Sequence, residues 1–159
     1  MRVAAGVWLL VVAASNLLGG CTYAFTGGLM GGIGAGVGEL AVTEEFNADL
    51  SDTQKAEMVR QGDGALALGG GILLWGVFLL VLAGLEIAAG VQLFRSKGAM
   101  FIIIIAALEA LSGAVTMAVG MGYIFALLGM VAAIFAIIAA REFSGSPPLV
   151  AEPSLRDTA

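Results

Sequence analysis

Histidine is absent from this chain of 159 residues, cysteine occurs once, and seven basic residues face twelve acidic ones. Without histidine, the usual activation of a serine or cysteine nucleophile is missing. Cys21 alone makes neither an intrachain disulfide nor a Cys/His metal site. The formal net charge of −5 and the lack of any Lys/Arg cluster exclude nucleic acid, because phosphate binding needs basic side chains on one face. No glycine-rich segment follows a strand and opens a helix, so Gly34-x-Gly36-x-Gly38 is not a nucleotide fingerprint. The expectation is a protein that is not an enzyme and uses no cofactor and no metal.

What is abundant is apolar surface. At 60% hydrophobic and 12% charged residues, with a mean hydropathy of +1.02, the chain has more of it than a soluble domain of this length can bury. Several runs exceed the roughly 18 to 20 apolar residues needed to cross about 30 Å of hydrocarbon as a helix. A lipid bilayer is the expected solvent.

The first run, uncharged from Val3 to Gly38, is about twice the length of one crossing. Tyr23, about 30 Å from Arg2 along a helix, suits an interface, which predicts a first span over residues 1–24. Beyond it Gly28, Gly32 and Gly36 recur every four residues, with Gly34 and Gly38 on a second row. This small-xxx-small pattern permits close helix packing against a partner or another copy; a flexible or re-entrant connector is the alternative. Arg2, an apolar run and Leu18-Gly19-Gly20-Cys21 also resemble a bacterial lipoprotein signal with its lipobox, whose cleavage would leave three crossings. Asn16 inside the apolar region argues against that, and Cys21 is expected to stay unlipidated.

Composition changes abruptly at Glu39, and residues 25–63 read as a glycine-rich extension followed by an acidic outer loop. Ser51-Asp52-Thr53-Gln54 fits a capping box and Gly62 a stop, predicting a short helix over about 52–61. Asn47-Ala48-Asp49-Leu50-Ser51 opens like a calcium loop, but Asp52 stands where glycine is needed and Met58 where glutamate is needed, so a solvated acidic face is the reading.

Residues 64–140 form a three-helix membrane core on this reading, with spans near Ala65–Phe94, Ala99–Val119 and Tyr123–Ala140. Gly69-Gly70-Gly71 marks a break in the first, with Trp75 at the outer interface, and Gly120-Met121-Gly122 allows only a tight hairpin. Ala106, Ala110, Ala114 and Ala118 face Ala132, Ala136 and Ala140 across the last two helices. Residues 141–159, with Pro147, Pro148 and Pro153, read as a disordered cytoplasmic tail. Arg2, Arg95, Lys97, Arg141 and Arg156 share one side of a four-span arrangement, which predicts both termini in the cytoplasm.

Two of the core helices carry the same motif. Leu85-Glu86 is followed by Gly90 and Leu108-Glu109 by Gly113, so Leu-Glu-x-x-x-Gly repeats. Measured from the inner interface the two glutamates lie at depths of roughly 14 and 18 Å, within reach of each other. A carboxylate there is costly, so both should face the bundle interior and one or both should hold a proton at neutral pH. Ser15 and Asn16 on the first span, and Ser112 and Thr116 on the third, are the expected hydrogen-bond partners. The pair serves either as interhelical hydrogen-bond glue or as a proton- or cation-handling site; a third placement puts one glutamate near the inner edge, in reach of water along its own helix.

Between Gly84 and Phe101, an apolar helix ends Ala89-Gly90-Val91-Gln92-Leu93-Phe94, Arg95 and Lys97 follow, and Phe101 opens the next helix. This resembles small bacterial four-helix membrane proteins of uncharacterised function, and implies the same fold over residues 65–140 without catalytic or binding residues to transfer. Claudin-like proteins share the four spans and outer loop, but their loop tryptophan and paired cysteines are absent here.

The sequence therefore predicts an all-α, integral membrane, antiparallel four-helix bundle with a short acidic extracytoplasmic loop containing one small helix, placed in a bacterial inner membrane. Its expected role is a small accessory subunit that associates through Gly/Ala faces, as a homo-oligomer or within a larger membrane complex. A small cation- or proton-conducting oligomer is the rival.

Overall fold

The structure, a computed structural model, describes residues 1–43, 50–118 and 123–144. They form four helices, α1 (Arg2–Val42), α2 (Asp52–Phe94), α3 (Ala99–Ala118) and α4 (Tyr123–Ser144), with no strand among the described residues. Each is long and apolar enough to cross a membrane, the mark of an integral membrane protein, and the described residues are all-α. The tail beyond Ser144, the Gly120-Met121-Gly122 hairpin and the start of the acidic loop at Glu44–Asp49 lie outside the described residues.

The first departure from expectation is length. α1 is one helix of 41 residues, with no division after Tyr23, and α2 is one helix of 43 residues that runs through both Gly62 and Gly69-Gly70-Gly71. At about 1.5 Å per residue each is about 60 Å long, twice the hydrocarbon thickness. The predicted 52–61 segment is thus the first turns of α2 and not a separate loop helix. Helical backbone over 52–58 also rules out a calcium loop opening at Asn47.

The glycines do not break these helices because many are buried against the backbone of the opposite helix. Gly20, Gly27 and Gly34 on α1 face Gly76, Gly69 and Gly62 on α2 in a constant antiparallel register, which Gly6 and Gly90 continue. A methyl group built on Gly27 would lie 2.6 Å from the Gly69 carbonyl oxygen, and one on Gly34 would lie 2.7 Å from that of Gly62. The same register sets Ala13 opposite Ala83, both buried. The backbone of Leu66 and Leu73 of α2 lies over Gly34 and Gly27, and the side chain of Leu80 lies over Gly20. The spacing on both helices is seven residues, the repeat that keeps one seam facing a partner along a left-handed supercoil.

Gly28 and Gly32 are exposed; Gly32 and Gly36 have nothing within 4 Å of an added methyl, and Gly28 meets only a Leu73 methyl at 3.9 Å. The four-residue row is therefore not the seam between α1 and α2. A step of four residues turns about 400°, so such a row drifts by about 40° per step, whereas a step of seven drifts only about 20°. The same drift corrects α3. Ala106 is buried and Ala110 partly so, but Ala114 and Ala118 point outward, and the contact face passes instead through Glu109, Ser112 and Gly113. On α4, Ala132, Ala136 and Ala140 are all buried.

α3 packs against α4 and the pair closes on α2 and α1, so the core, from Leu9 through Leu82 and Ile102 to Ala136, sits toward the end that carries the corner at residues 95–98. Arg95-Ser96-Lys97-Gly98 makes the corner between α2 and α3. Ser96 and Gly98 adopt positive φ, the Lys97 amide donates to the Gln92 carbonyl, and the Arg2 guanidinium donates to the Ser96 hydroxyl, which pins the start of α1 beside this loop.

At its other end α2 begins with the predicted box: the Gln54 amide donates to Ser51 Oγ at 3.4 Å and the Ser51 amide to Gln54 Oε1 at 2.9 Å. Ser51→Ala is expected to cost about 1 kcal/mol locally, read as a roughly fivefold faster hydrogen exchange of the first-turn amides with no change near Glu86. Farther along the same polar end, Arg60 donates to Glu57 through two nitrogens, and this hydrogen bond holds the exposed carboxyl of Glu57 below its ordinary range.

Candidate functional site

Three helices meet at Asn16. Its Nδ2 donates to both carboxyl oxygens of Glu86 at 3.1 Å and to Oε2 of Glu109 at 3.0 Å. Glu86 is fully buried and Glu109 is 3% exposed. One amide on α1 thus bridges carboxyl groups on α2 and α3, and no basic side chain is among the hydrogen-bond partners of any of the three.

The repeated Leu-Glu-x-x-x-Gly motif has a local reason. Residues four apart share a helix face, so each glutamate looks into the bundle and the glycine one turn on lets a neighbouring helix approach. A methyl on Gly113 would sit 3.0 Å from the Ala126 carbonyl oxygen of α4, and one on Gly90 would sit 3.4 Å from that of Gly6 of α1. Gly129 of α4 completes the arrangement, because any side chain there would run into the Glu109 carboxyl. Its role was invisible beforehand, as nothing in the α4 sequence marks which small residue faces the acid.

The remaining predicted polar residues stand near the pair without bonding to it. Ser15 Oγ donates to the Val11 carbonyl and Thr116 Oγ1 to the Ser112 carbonyl, each bond returning to its own helix. Ser112 is 5% exposed, and its hydroxyl has no hydrogen-bond partner among the described residues.

Outward from Glu109 lies a cavity of about 350 Å³ between the four helices. Its polar lining includes Asn16, Glu109, Ser112 and Thr116, and its aromatic walls are Tyr23, Trp75 and Phe125. The ring of Trp75 is itself held by stacking on Phe78, with centroids 5.2 Å apart. Leu18 and Phe125, which are 71% and 63% exposed, form part of the rim, so the cavity is reached from the side of the bundle. No cluster of three or more metal-ligating side chains occurs among the described residues.

Cys21 is exposed on α1, in mid-helix. Cleavage before it would remove Asn16 and the core residues Ala5, Leu9 and Ala13. The purified chain is therefore expected to have the intact mass of the unprocessed sequence; loss of residues 1–20 with added acyl mass would show lipoprotein processing instead.

Comparison with family models, with curated proteins and with solved structures returns no match to this chain.

Proposed function

We propose that this protein is a small accessory subunit of the bacterial inner membrane, an antiparallel four-helix bundle that assembles with further copies of itself or with a larger membrane complex. The observation that carries this reading is the mismatch in helix length. α3 and α4 have 20 and 22 residues and end level with Tyr23 and Trp75, whereas α1 and α2 continue beyond as a hairpin of two helices. That hairpin carries no charge between Ala24 and Gly38 or between Ala65 and Leu74. Phe25 (69% exposed), Ile33 (64%), Leu68 (62%) and Leu74 (69%) have no cover among the described residues. Two helices cannot bury such faces between them, so another apolar surface does. The exposed Gly28 and Gly32 and the half-buried Gly36 lie on this hairpin and allow close approach of a further helix.

Purification in a mild detergent tests the reading. The protein should elute as a defined oligomer or with a stoichiometric membrane partner, and Ile33→Asp with Leu68→Asp should release a folded monomer. A monomer in the unaltered protein, with no partner, would overturn it. Both termini are placed in the cytoplasm, since Arg2, Arg95, Lys97 and Arg141 fall at one end. In a Cys21→Ser background an impermeant thiol reagent should label Lys55→Cys in intact cells and spare Ser96→Cys.

A second reading, proton or cation conduction through Glu86 and Glu109, is favoured by the cavity that reaches Glu109. Cation or proton flux in liposomes, abolished by either Glu→Gln substitution, would select it.

A further inference from the structure

The geometry points to the cavity outside Glu109 as a binding site for a small apolar organic cation, such as an aryl or alkyl quaternary ammonium, held by the Glu109 carboxylate against the aromatic walls. The inference concerns the inner bundle and stands independently of what covers the outer hairpin.

Four observations converge. The volume, about 350 Å³, is at the small end of the range for ligand pockets of roughly 300 to 1,000 Å³. The lining is mostly apolar, with a few polar groups that include Asn16, Glu109, Ser112 and Thr116, a composition that suits a molecule with an apolar body and a charged head. The polar groups include an acid and no base: Glu109 is the one carboxyl in the lining and no basic side chain belongs to it, so the lining supplies no countercharge of its own. The Ser112 hydroxyl is buried in the same lining without a hydrogen-bond partner among the described residues, so it can bond to a ligand that enters.

The aromatic residues argue for the sign of the ligand. Trp75, Tyr23 and Phe125 line the same cavity as Glu109, and aromatic rings attract a cation through their quadrupoles, most strongly when it is shielded from water. An anion would meet a buried carboxyl group and no countercharge. A neutral apolar molecule would gain the walls but nothing from Glu109 or Ser112.

Phenyltrimethylammonium is a suitable probe, because tert-butylbenzene has the same shape without the charge. Equilibrium dialysis of the full chain in nanodiscs should show saturable binding of the cation at one site per chain. Tert-butylbenzene should compete at least tenfold more weakly. Glu109→Gln, which preserves size and the hydrogen bond from Asn16, should weaken cation binding at least tenfold while leaving competition by tert-butylbenzene against a bound apolar dye unchanged. Trp75→Leu, in the cavity lining and outside the hydrogen-bonded cluster, should weaken it roughly two- to thirtyfold. The proposal is overturned if the cation shows no saturable binding, if the neutral isostere binds as tightly, or if the folded Glu109→Gln protein binds the cation as well as the unaltered one.

Discussion

Gly69→Ala is expected to destabilise the protein by about 1 to 3 kcal/mol, while Gly70→Ala, one residue along the same helix, is expected to leave it unchanged or raise its stability by up to about 1 kcal/mol. The two substitutions add the same methyl group to the same unbroken helix, so propensity favours both equally. What differs is the space each methyl enters. At Gly69 it would lie 2.8 Å from the Gly27 carbonyl oxygen and 2.8 Å from Cα of Gly31. These are backbone atoms that cannot rotate away, so α1 and α2 must separate. At Gly70 nothing stands within 4 Å, and the methyl only removes backbone freedom from the unfolded chain.

The same contrast holds on α1 between Gly27, which is buried against Gly69, and Gly32, which meets nothing. Reversible unfolding in mixed micelles followed by circular dichroism gives the ordering directly. Equal effects at Gly69 and Gly70 would mean that the close seam does not exist. Because Gly32 lies on the exposed hairpin, Gly32→Ala has a second readout: unchanged unfolding of the monomer with loss of the assembled species would place the four-residue row at an interface between chains.

This seam was legible in the sequence, though at a different spacing from the one that composition first suggests. In a glycine-rich segment a four-residue row always turns up, and Gly28, Gly32 and Gly36 gave one. The informative signal was that glycine or alanine recurs every seventh residue at 6, 13, 20, 27, 34 and 41, and again at 62, 69, 76, 83 and 90, so that two segments far apart carry one period. A period shared by two helices points to the surface between them, while a row on one helix does not say what it faces.

The unbroken length of α1 and α2 was harder to read. A glycine triplet breaks a helix in water, where the freed backbone finds other partners. Here Gly69 is buried against the backbone of α1, and a buried seam turns the glycine from a weakness into a contact. The depth argument that put Glu86 and Glu109 within reach of each other used only helical rise and the position of the basic loop. That their common partner is Asn16, rather than Ser112 or Thr116, depends on the rotation of each helix about its axis. Depth carries no information on that rotation, and the four-residue rows misjudge it progressively along α3.

Asn16→Leu is expected to be the most damaging single change in the polar cluster, more so than the loss of either acid. If Glu86 is replaced by leucine, the Asn16 amide still donates to Glu109, and one interhelical contact is lost at about 0.6 to 2 kcal/mol. If Asn16 is replaced, the amide that donates to both carboxyl groups goes at once, and the two buried acids lose the hydrogen bonds that tie them to α1, at about 1 to 3 kcal/mol for each acceptor left unpaired. Leucine nearly matches asparagine in size, so the change tests the hydrogen bonds and not a cavity. Glu86→Gln and Glu109→Gln should be near neutral, since glutamine keeps the length of the side chain and oxygen to accept from Asn16, though it cannot release a proton. Replacing Asn16, Glu86 and Glu109 together by leucine should recover much of what Asn16→Leu loses, because no polar atom then remains to be satisfied. Unfolding free energies across these five variants would be decisive. An Asn16→Leu protein no less stable than Glu86→Leu would show that the amide does not bridge the acids, and a triple variant worse than Asn16→Leu would show that the cluster contributes by more than satisfying its own buried groups.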